Sequence, residues 1–166
     1  MQGRVWIAIG AMGCAHTGGW QIHHGTLQSI SGPQSFATLH ADGPPSAWQL
    51  VVECAADGLQ LGVGGRFTDA GARLQFDDAP PLTLPTRVSR RGIPVVDLRA
   101  PIPQRSTTPE ALLAASSQVT VLPVPPETGT EAVSFATARA DRAIAALHCP
   151  GARPAEVSDR RGARAK

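Results

Sequence analysis

The densest set of side chains able to hold a metal ion lies near the N-terminus. It comprises His16, His23 and His24 together with Cys14, and imidazole and thiolate groups are ligands that suit zinc or copper. Neighbouring residues of a strand point to opposite faces, so His23 and His24 would diverge there, whereas a tetrahedral site needs convergent ligands. The three histidines are therefore candidate ligands, and surface histidines near a flexible terminus are the alternative interpretation.

Acidic side chains offer a second kind of chemistry. Asp77 and Asp78 are adjacent and precede Ala-Pro-Pro, a pattern typical of a turn. A small enzyme with a scattered site of His40, Glu53 and Asp77 is one alternative, although their spacing matches no motif. The chain contains no G-x-S-x-G, no C-x-x-C and no phosphate-binding loop, so the sequence predicts no catalytic residue and no cofactor.

A small basic cluster surrounds Ser89. Its candidate anion-binding residues are Arg87, Arg90 and Arg91, which could meet phosphate or lipid head groups, and a solvated loop is the alternative. The formal net charge of the chain is only +2, and basic residues are concentrated after Arg153. A net charge of +2 is too small to predict nucleic-acid binding.

Three cysteines, Cys14, Cys54 and Cys149, allow three pairings. If Cys14 is removed with a signal or carries a lipid, Cys54 and Cys149 remain as one pair. In the chain-entropy model such a long loop adds about 4–5 kcal/mol of stability, and the bond requires an oxidising compartment. The alternative is two buried free thiols in a cytosolic protein.

The N-terminal sequence indicates which compartment the protein occupies, and so whether the cysteines can form a disulfide. Arg4 precedes the apolar stretch VWIAIGAMGCA at residues 5–15, which has the outline of a secretory signal and is too short for a transmembrane helix of about 20 residues. The stretch also resembles a lipoprotein signal with Cys14 as the lipidated residue, but Ala11 and Met12 depart from the usual pattern. A buried first strand at residues 4–12 is the alternative. We therefore expect a signal-like segment at residues 1–16 and a periplasmic or outer-membrane-tethered protein.

Strands must position most of these side chains. Aromatic residues make up 4% of the chain, and it contains 17 Gly and 15 Pro, which favours short elements and many turns. Trp48, Leu50, Val52 and Cys54 share one face of a strand, so Cys54 should point into the core. Asp57 and Gly58 are predicted to form the two-residue turn of a hairpin, with a second inward set at Leu59, Leu61 and Val63.

The rest of the chain alternates short strands with two helices. Strands are expected at residues 73–77, 82–84, 118–122 and 132–136, and helices at 109–116 and 138–148. Pro94, Pro101 and Pro103 argue against a central strand at residues 93–98. Cys149 ends the second helix, so the Cys54–Cys149 pair would staple a helix to a sheet. Together these patterns predict an α+β domain at residues 17–150, mainly an antiparallel sheet or sandwich with one or two short helices packed on it, and a basic, disordered tail at 151–166.

The order of these features resembles small proteobacterial envelope proteins of the invasion-associated locus B type. The resemblance rests on Trp48 followed by Cys54, on Val119-Thr120-Val121 after a helix, on Val133-Ser134-Phe135, and on the Ala-rich helix at 142–147. The chain departs from that family because no second cysteine follows Cys54 closely. The resemblance implies a β-sandwich-like fold with a non-enzymatic accessory or stress-related role.

These observations predict a non-catalytic domain that binds a protein or an envelope component, with no nucleic-acid partner and no transmembrane helix. A small enzyme with an unrecognised site and a metal-binding protein that uses the N-terminal histidines are the two alternatives.

Overall fold

The computed structural model describes residues 15–17, 19–25, 34–42, 48–55, 58–64, 66–89, 91–103, 105–123 and 131–149. Within them the chain forms strands joined by short connections, and two helices follow late in the sequence. The strands are β1 (Ala15–Thr17), β2 (Trp20–Gly25), β3 (Gln34–His40), β4 (Gln49–Ala55), β5 (Gly58–Val63), β6 (Ala72–Phe76), β7 (Leu82–Leu84), β8 (Thr86–Val88), β9 (Pro94–Asp97), β10 (Gln118–Leu122) and β11 (Val133–Ala136). The helices are α1 (Pro109–Ala115) and α2 (Ala140–Ala146).

These strands form two antiparallel sheets. The large sheet has seven strands in the order β1-β2-β3-β4-β5-β9-β8, and the small sheet has four in the order β11-β10-β6-β7. The predicted fold class, an α+β domain dominated by antiparallel sheet with short helices, is therefore confirmed.

Period-2 alternation explains which side chains form the core. On the large sheet the inward residues include Trp20, Leu39, Leu50 and Val63, all at most 4% exposed, and Leu50 pairs with Leu39 on one side and with Val63 on the other. The small sheet contributes a matching set of inward residues, namely Leu74, Phe76, Val119, Val121, Val133 and Phe135. Because a slip of one residue would turn every side chain of a strand to the other face, this burial fixes the register.

The two helices begin in different ways. The Thr108 hydroxyl caps α1 by accepting a hydrogen bond from the Ala111 N–H at 3.2 Å, and Pro109 is the first helical residue, as the sequence predicts. Helix α2 follows Arg139, whose φ is 65°, and has no side-chain cap. Its buried residues are Ala140, Ala143 and Ile144, and it packs against α1 and β2.

The hairpin between β4 and β5 differs from the expected one at Gly58. Gly58 pairs with Ala55 and belongs to β5, so it is not a central residue of the turn, and Asp57, the other residue of the predicted turn, lies outside the described residues. The predicted faces are confirmed, since Leu50, Val52 and Cys54 are all buried.

The expectation that proline excludes a central strand at residues 93–98 is also wrong. Strand β9 lies between β5 and β8 and begins at Pro94. Its ladder with β5 contains only the pairs Gln60 with Asp97 and Leu61 with Val96. Pro94 therefore lies beyond that ladder, where its missing N–H removes no hydrogen bond.

Several N-terminal and C-terminal expectations lie outside the described residues. These are Cys14 with the rest of residues 1–14, and the basic tail at 151–166. Ala15 and His16, at the end of the predicted signal-like segment, belong to β1 and pair with Ile22 and Gln21. In the described part of the chain, neither helix is long and apolar enough to span a bilayer.

Candidate functional site

Two concavities of the described surface flank the hairpin of β8 and β9, residues 86–97, which we call the edge hairpin. On one side of it lies a pocket of about 230 Å³ that we call the proline pocket. Its walls are mainly apolar and include Leu84, Pro85, Val96, Pro101, Ile102 and Pro103. Because proline fixes its own φ and has no N–H to satisfy, these walls present rigid apolar surface.

A second concavity, of about 160 Å³, lies on the outer face of the large sheet and is called the outer groove. Glycine makes room for it, since Gly62 and Gly64 have no side chain. A Cβ at Gly62 would contact the Val95 Cγ1 atom at 3.6 Å, whereas one at Gly64 would meet nothing within 4 Å. Ile93 and Arg91 lie along its rim.

The arginines of the predicted anion cluster are divided between these two concavities. Arg91 lines the outer groove, and its Nη1 lies 3.7 Å from the Glu53 Oε2 atom. Arg87 lines the proline pocket, and its Nε lies 4.0 Å from the Asp97 Oδ2 atom. Arg90 lies outside the described residues. Each described arginine thus faces a carboxylate that offsets its charge, and anion binding by the cluster stays a prediction.

The tip of the edge hairpin is tightly held. The buried Ser89 donates its N–H to the Ile93 carbonyl at 2.9 Å, and its Oγ accepts from the Ile93 N–H at 3.2 Å. Gly92 donates its N–H to the Ser89 carbonyl at 2.8 Å and has a φ of 74°, a conformation that favours glycine.

This pairing determines which way the backbone of β8 points. Hydrogen-bonded and non-hydrogen-bonded pairs alternate along an antiparallel ladder. Since Ser89 bonds to Ile93, the pair of Arg87 with Val95 is also bonded, whereas Thr86 and Val88 turn their N–H and C=O groups away from β9. Strand β8 ends the large sheet, so these groups line its outer edge. The Thr86 hydroxyl donates a hydrogen bond to the Thr68 carbonyl at 2.6 Å.

Two apolar side chains stand out beside that edge. Val88 is 61% exposed and Ile93 is 46% exposed, while the large apolar residues of the core are almost fully buried. Sequence reasoning missed β8 because a three-residue strand is too short to show alternation. The signal that could have found it is the set of flanking prolines, Pro85 and Pro94, which are typical of edge strands and strand ends.

The candidate metal ligands do not converge. His23 lies on the outer face, where its ring stacks on Phe36 at a centroid distance of 4.8 Å. His24 lies on the opposite face, with its Nδ1 atom 3.2 Å from the Ser35 Oγ atom. His16 is paired with Gln21 in the ladder of β1 and β2. Among the residues that the structure describes, no group of three or more His, Cys, Asp or Glu could hold a metal ion.

The residues of the scattered-enzyme alternative also lie apart. His40 pairs with Gln49 of β4. Glu53 lies four residues further along the same strand, which is a distance of about 13 Å from Gln49. Asp77 follows β6 of the small sheet, and its Oδ1 accepts hydrogen bonds from the Ser117 hydroxyl and from the N–H groups of Ser117 and Gln118. These bonds, the Ser117 hydroxyl first, lower the pKa of Asp77 below 3.8. Its carboxylate is therefore committed to a structural role.

The predicted Cys54–Cys149 disulfide is confirmed. It joins Cys54 of β4 to Cys149, the third residue after α2, with the two Cα atoms 5.3 Å apart. Both cysteines are buried, at 8% and 9% exposure. The bond thus staples the last helix to the large sheet.

Comparison with known proteins adds no relative. No model of a protein family matches the chain, and neither a curated protein nor a solved structure matches it. The resemblance to envelope proteins of the invasion-associated locus B type therefore stays a prediction that rests on the residues quoted for it.

Proposed function

We propose that the protein is a non-catalytic binding domain of the bacterial envelope that captures an extended polypeptide segment along β8. The observation that carries the proposal is the open edge of β8 beside the proline pocket. An extended segment adds a strand to a sheet by pairing with main-chain groups such as those of Thr86 and Val88. An apolar side chain of the segment would then enter the proline pocket.

The composition of the edge supports this mode of binding. Exposed edge strands are normally shortened, charged or interrupted by proline, because free main-chain groups pair with other chains. Strand β8 is short and follows Pro85, which limits indiscriminate pairing, but it exposes Val88 and adjoins an apolar pocket. A short edge with a pocket favours a segment of defined sequence over general aggregation.

The envelope assignment rests on the disulfide and on the N-terminal sequence. A bond between Cys54 and Cys149 persists in an oxidising compartment. Strand β1 begins one residue after Cys14 and forms the edge of the large sheet opposite β8. A lipid on Cys14 would thus hold β1 near a membrane, with β8 about 29 Å away across six strand spacings.

Peptide selection tests the binding proposal. The probe is a displayed library of random twelve-residue peptides, selected on the purified, disulfide-bonded chain, and the measurement is the Kd of the enriched peptides. Val88→Pro removes the outward N–H of β8 without touching its ladder with β9, so these peptides should bind roughly fivefold more weakly or worse. Val88→Thr, which keeps the N–H, is the matched control and should bind within about twofold of the wild type.

Two results would overturn this proposal. One is a set of enriched peptides that bind Val88→Pro as tightly as they bind Val88→Thr, and the other is a library that yields no peptide bound to the wild type. Filling the proline pocket with Ala100→Leu should weaken binding as well, because the pocket then has no room for an apolar side chain.

The compartment is tested separately, by cell fractionation and by the intact mass of protein purified from its native host. Loss of residues before Cys14 or a lipid-sized increase in mass would support the envelope assignment. A cytosolic protein that retains Met1 would contradict it.

A further inference from the structure

Two histidines from distant parts of the sequence meet at the end of the sandwich that carries the disulfide. His24 belongs to β2, and His148 follows α2. Their ring centroids lie 6.5 Å apart, and the ring planes are inclined by 26°. Both side chains are exposed, so both rings are open to an ion from solvent.

A series of contacts links the two histidines through the disulfide. The Nδ1 atom of His24 lies 3.2 Å from the Ser35 hydroxyl, and Ser35 pairs with Cys54 in the ladder of β3 and β4. Cys54 is bonded to Cys149, the residue after His148. The disulfide therefore fixes the backbone of His148 relative to the strand that carries His24.

The hydrogen bond to Ser35 also orients the ring of His24. Histidines that bind metals usually engage their second ring nitrogen with a neighbouring polar group, which fixes the tautomer and the ring plane. Here Nδ1 faces Ser35, so Nε2 is the nitrogen that is left to bind an ion.

We propose that His24 and His148 together bind one divalent transition-metal cation of the class of Zn²⁺, Ni²⁺ or Cu²⁺. Imidazole nitrogens suit these ions, and metal–nitrogen bonds of about 2.0–2.1 Å bring two rings on one ion to roughly 5 Å between centroids. To share one ion, the rings would approach by about 1.5 Å from their present separation of 6.5 Å, and both exposed side chains would rotate so that each ring plane contains the ion. Water completes the coordination.

This pair differs from the set that the sequence suggests. His23 lies on the outer face of the large sheet, stacked on Phe36, and does not share the surface of His24 and His148. The proposed site also does not depend on peptide binding at β8, which lies at the far edge of the large sheet from β1 and β2.

The backbone conformation of His148 makes a glycine substitution at this position a suitable test, because the variant should still fold. Its φ is 49°, a conformation after a helix end that glycine adopts most readily. His148→Gly thus removes the imidazole while relieving the backbone, so the variant should fold and should not melt below the wild type.

The experiment titrates the oxidised, full-length chain with Zn²⁺ alone and then with Ni²⁺ alone, by isothermal calorimetry. The expected result is one ion per chain, with the Kd raised at least tenfold in His24→Ala and in His148→Gly. His23→Ala and His40→Ala are the matched controls and should keep the wild-type Kd within twofold. Cu²⁺ electron paramagnetic resonance supplies a second readout, in which wild type shows two coupled nitrogens and His148→Gly shows one.

The proposal is overturned if the wild type binds neither Zn²⁺ nor Ni²⁺ below millimolar concentration. Equal affinity of wild type and a folded His148→Gly would overturn it as well, and that comparison remains decisive if His24→Ala fails to fold.

Discussion

The exposed carboxylate of Asp77 connects two strands of the small sheet through hydrogen bonds. It follows β6 with a φ of 47°, and its Oδ1 atom accepts from the Ser117 hydroxyl at 2.8 Å and from the N–H groups of Ser117 and Gln118 at 2.9 and 3.0 Å. Its own N–H donates to the Gln118 carbonyl at 2.9 Å. One residue thereby ties the end of β6 to the start of β10.

The lowered pKa of Asp77 makes this tie dependent on pH. Because the folded state lowers the pKa below 3.8, chiefly through the Ser117 hydroxyl, the stabilisation is present above that value and is lost as the pH falls through the lowered pKa. Asp77→Asn keeps the shape and tolerates positive φ but carries no charge. We expect its melting temperature to lie below that of the wild type at pH 7 and to approach that of the wild type as the pH falls through the lowered pKa of Asp77.

Thermal melts between pH 2 and pH 7 measure this difference, with Asp78→Asn as the control for loss of a neighbouring charge. A constant gap between wild type and Asp77→Asn across that range would contradict the prediction.

Sequence reasoning correctly interpreted Asp77 and Asp78 as part of a turn, and it placed Cys54 on an inward face. It could not identify the partners. Ser117 is 40 residues from Asp77, and Glu53 and Asp97, which face the predicted anion-binding arginines, come from other strands. Charge patterns along the chain carry no information about such pairs, because the pairs depend on how strands are assembled.

At the scale of elements, Gly71 shows where the backbone is most tightly constrained. It precedes β6 with a φ of 144°, and a Cβ there would lie 2.9 Å from the Leu84 carbonyl oxygen of β7. That oxygen belongs to the backbone of a neighbouring strand and cannot move away as a flexible side chain could. The close approach therefore requires glycine.

Gly71→Ala should destabilise the protein by roughly 1–3 kcal/mol, since it adds both backbone strain and a clash. Gly64→Ala is the matched control, because a Cβ there would meet nothing within 4 Å, and it should change stability by less than about 0.5 kcal/mol. Urea unfolding of both variants measures the free energies. Similar losses in the two variants would show that the approach of β6 to β7 is not the constraint.

Elements with a strong local pattern were predictable. The alternation at Leu50, Val52 and Cys54 specified β4, and Thr108 with Pro109 specified the start of α1. Elements without such a pattern were not. Strand β8 is only three residues long. Strand β9 can lie inside the sheet despite Pro94 because its ladder with β5 contains only two residue pairs and does not include the proline.

For the whole molecule, the division of the strands into two sheets could not be predicted from the sequence. Alternation identifies an inward face but not the sheet to which a strand belongs. The chain leaves the large sheet after β5, forms β6 and β7 in the small sheet, and returns for β8 and β9. The two concavities beside the edge hairpin exist because of this return, so the candidate site could not be assembled from local patterns.

The disulfide joins parts of the fold that are far apart along the chain. In the chain-entropy model, closing a loop of 95 residues adds about 4–5 kcal/mol, or roughly 10 °C or more in melting temperature for a chain of this size. We therefore expect a thiol reductant to lower the melting temperature of the wild type by that amount. The double variant Cys54→Ser with Cys149→Ser should melt at the lower temperature whether or not reductant is present.

Differential scanning calorimetry with and without reductant makes the comparison. If reductant lowers the melting temperature of the double variant as much as that of the wild type, the effect does not come from the bond.

The same bond has a consequence for proteolysis. Every peptide bond between Cys54 and Cys149 lies inside one covalent ring, which contains the strands from β5 to β11 and both helices. A protease that cuts once within this ring leaves two fragments still linked through sulfur. The nicked protein would keep its full mass apart from one added water, and it would separate into two pieces on a gel only after reduction.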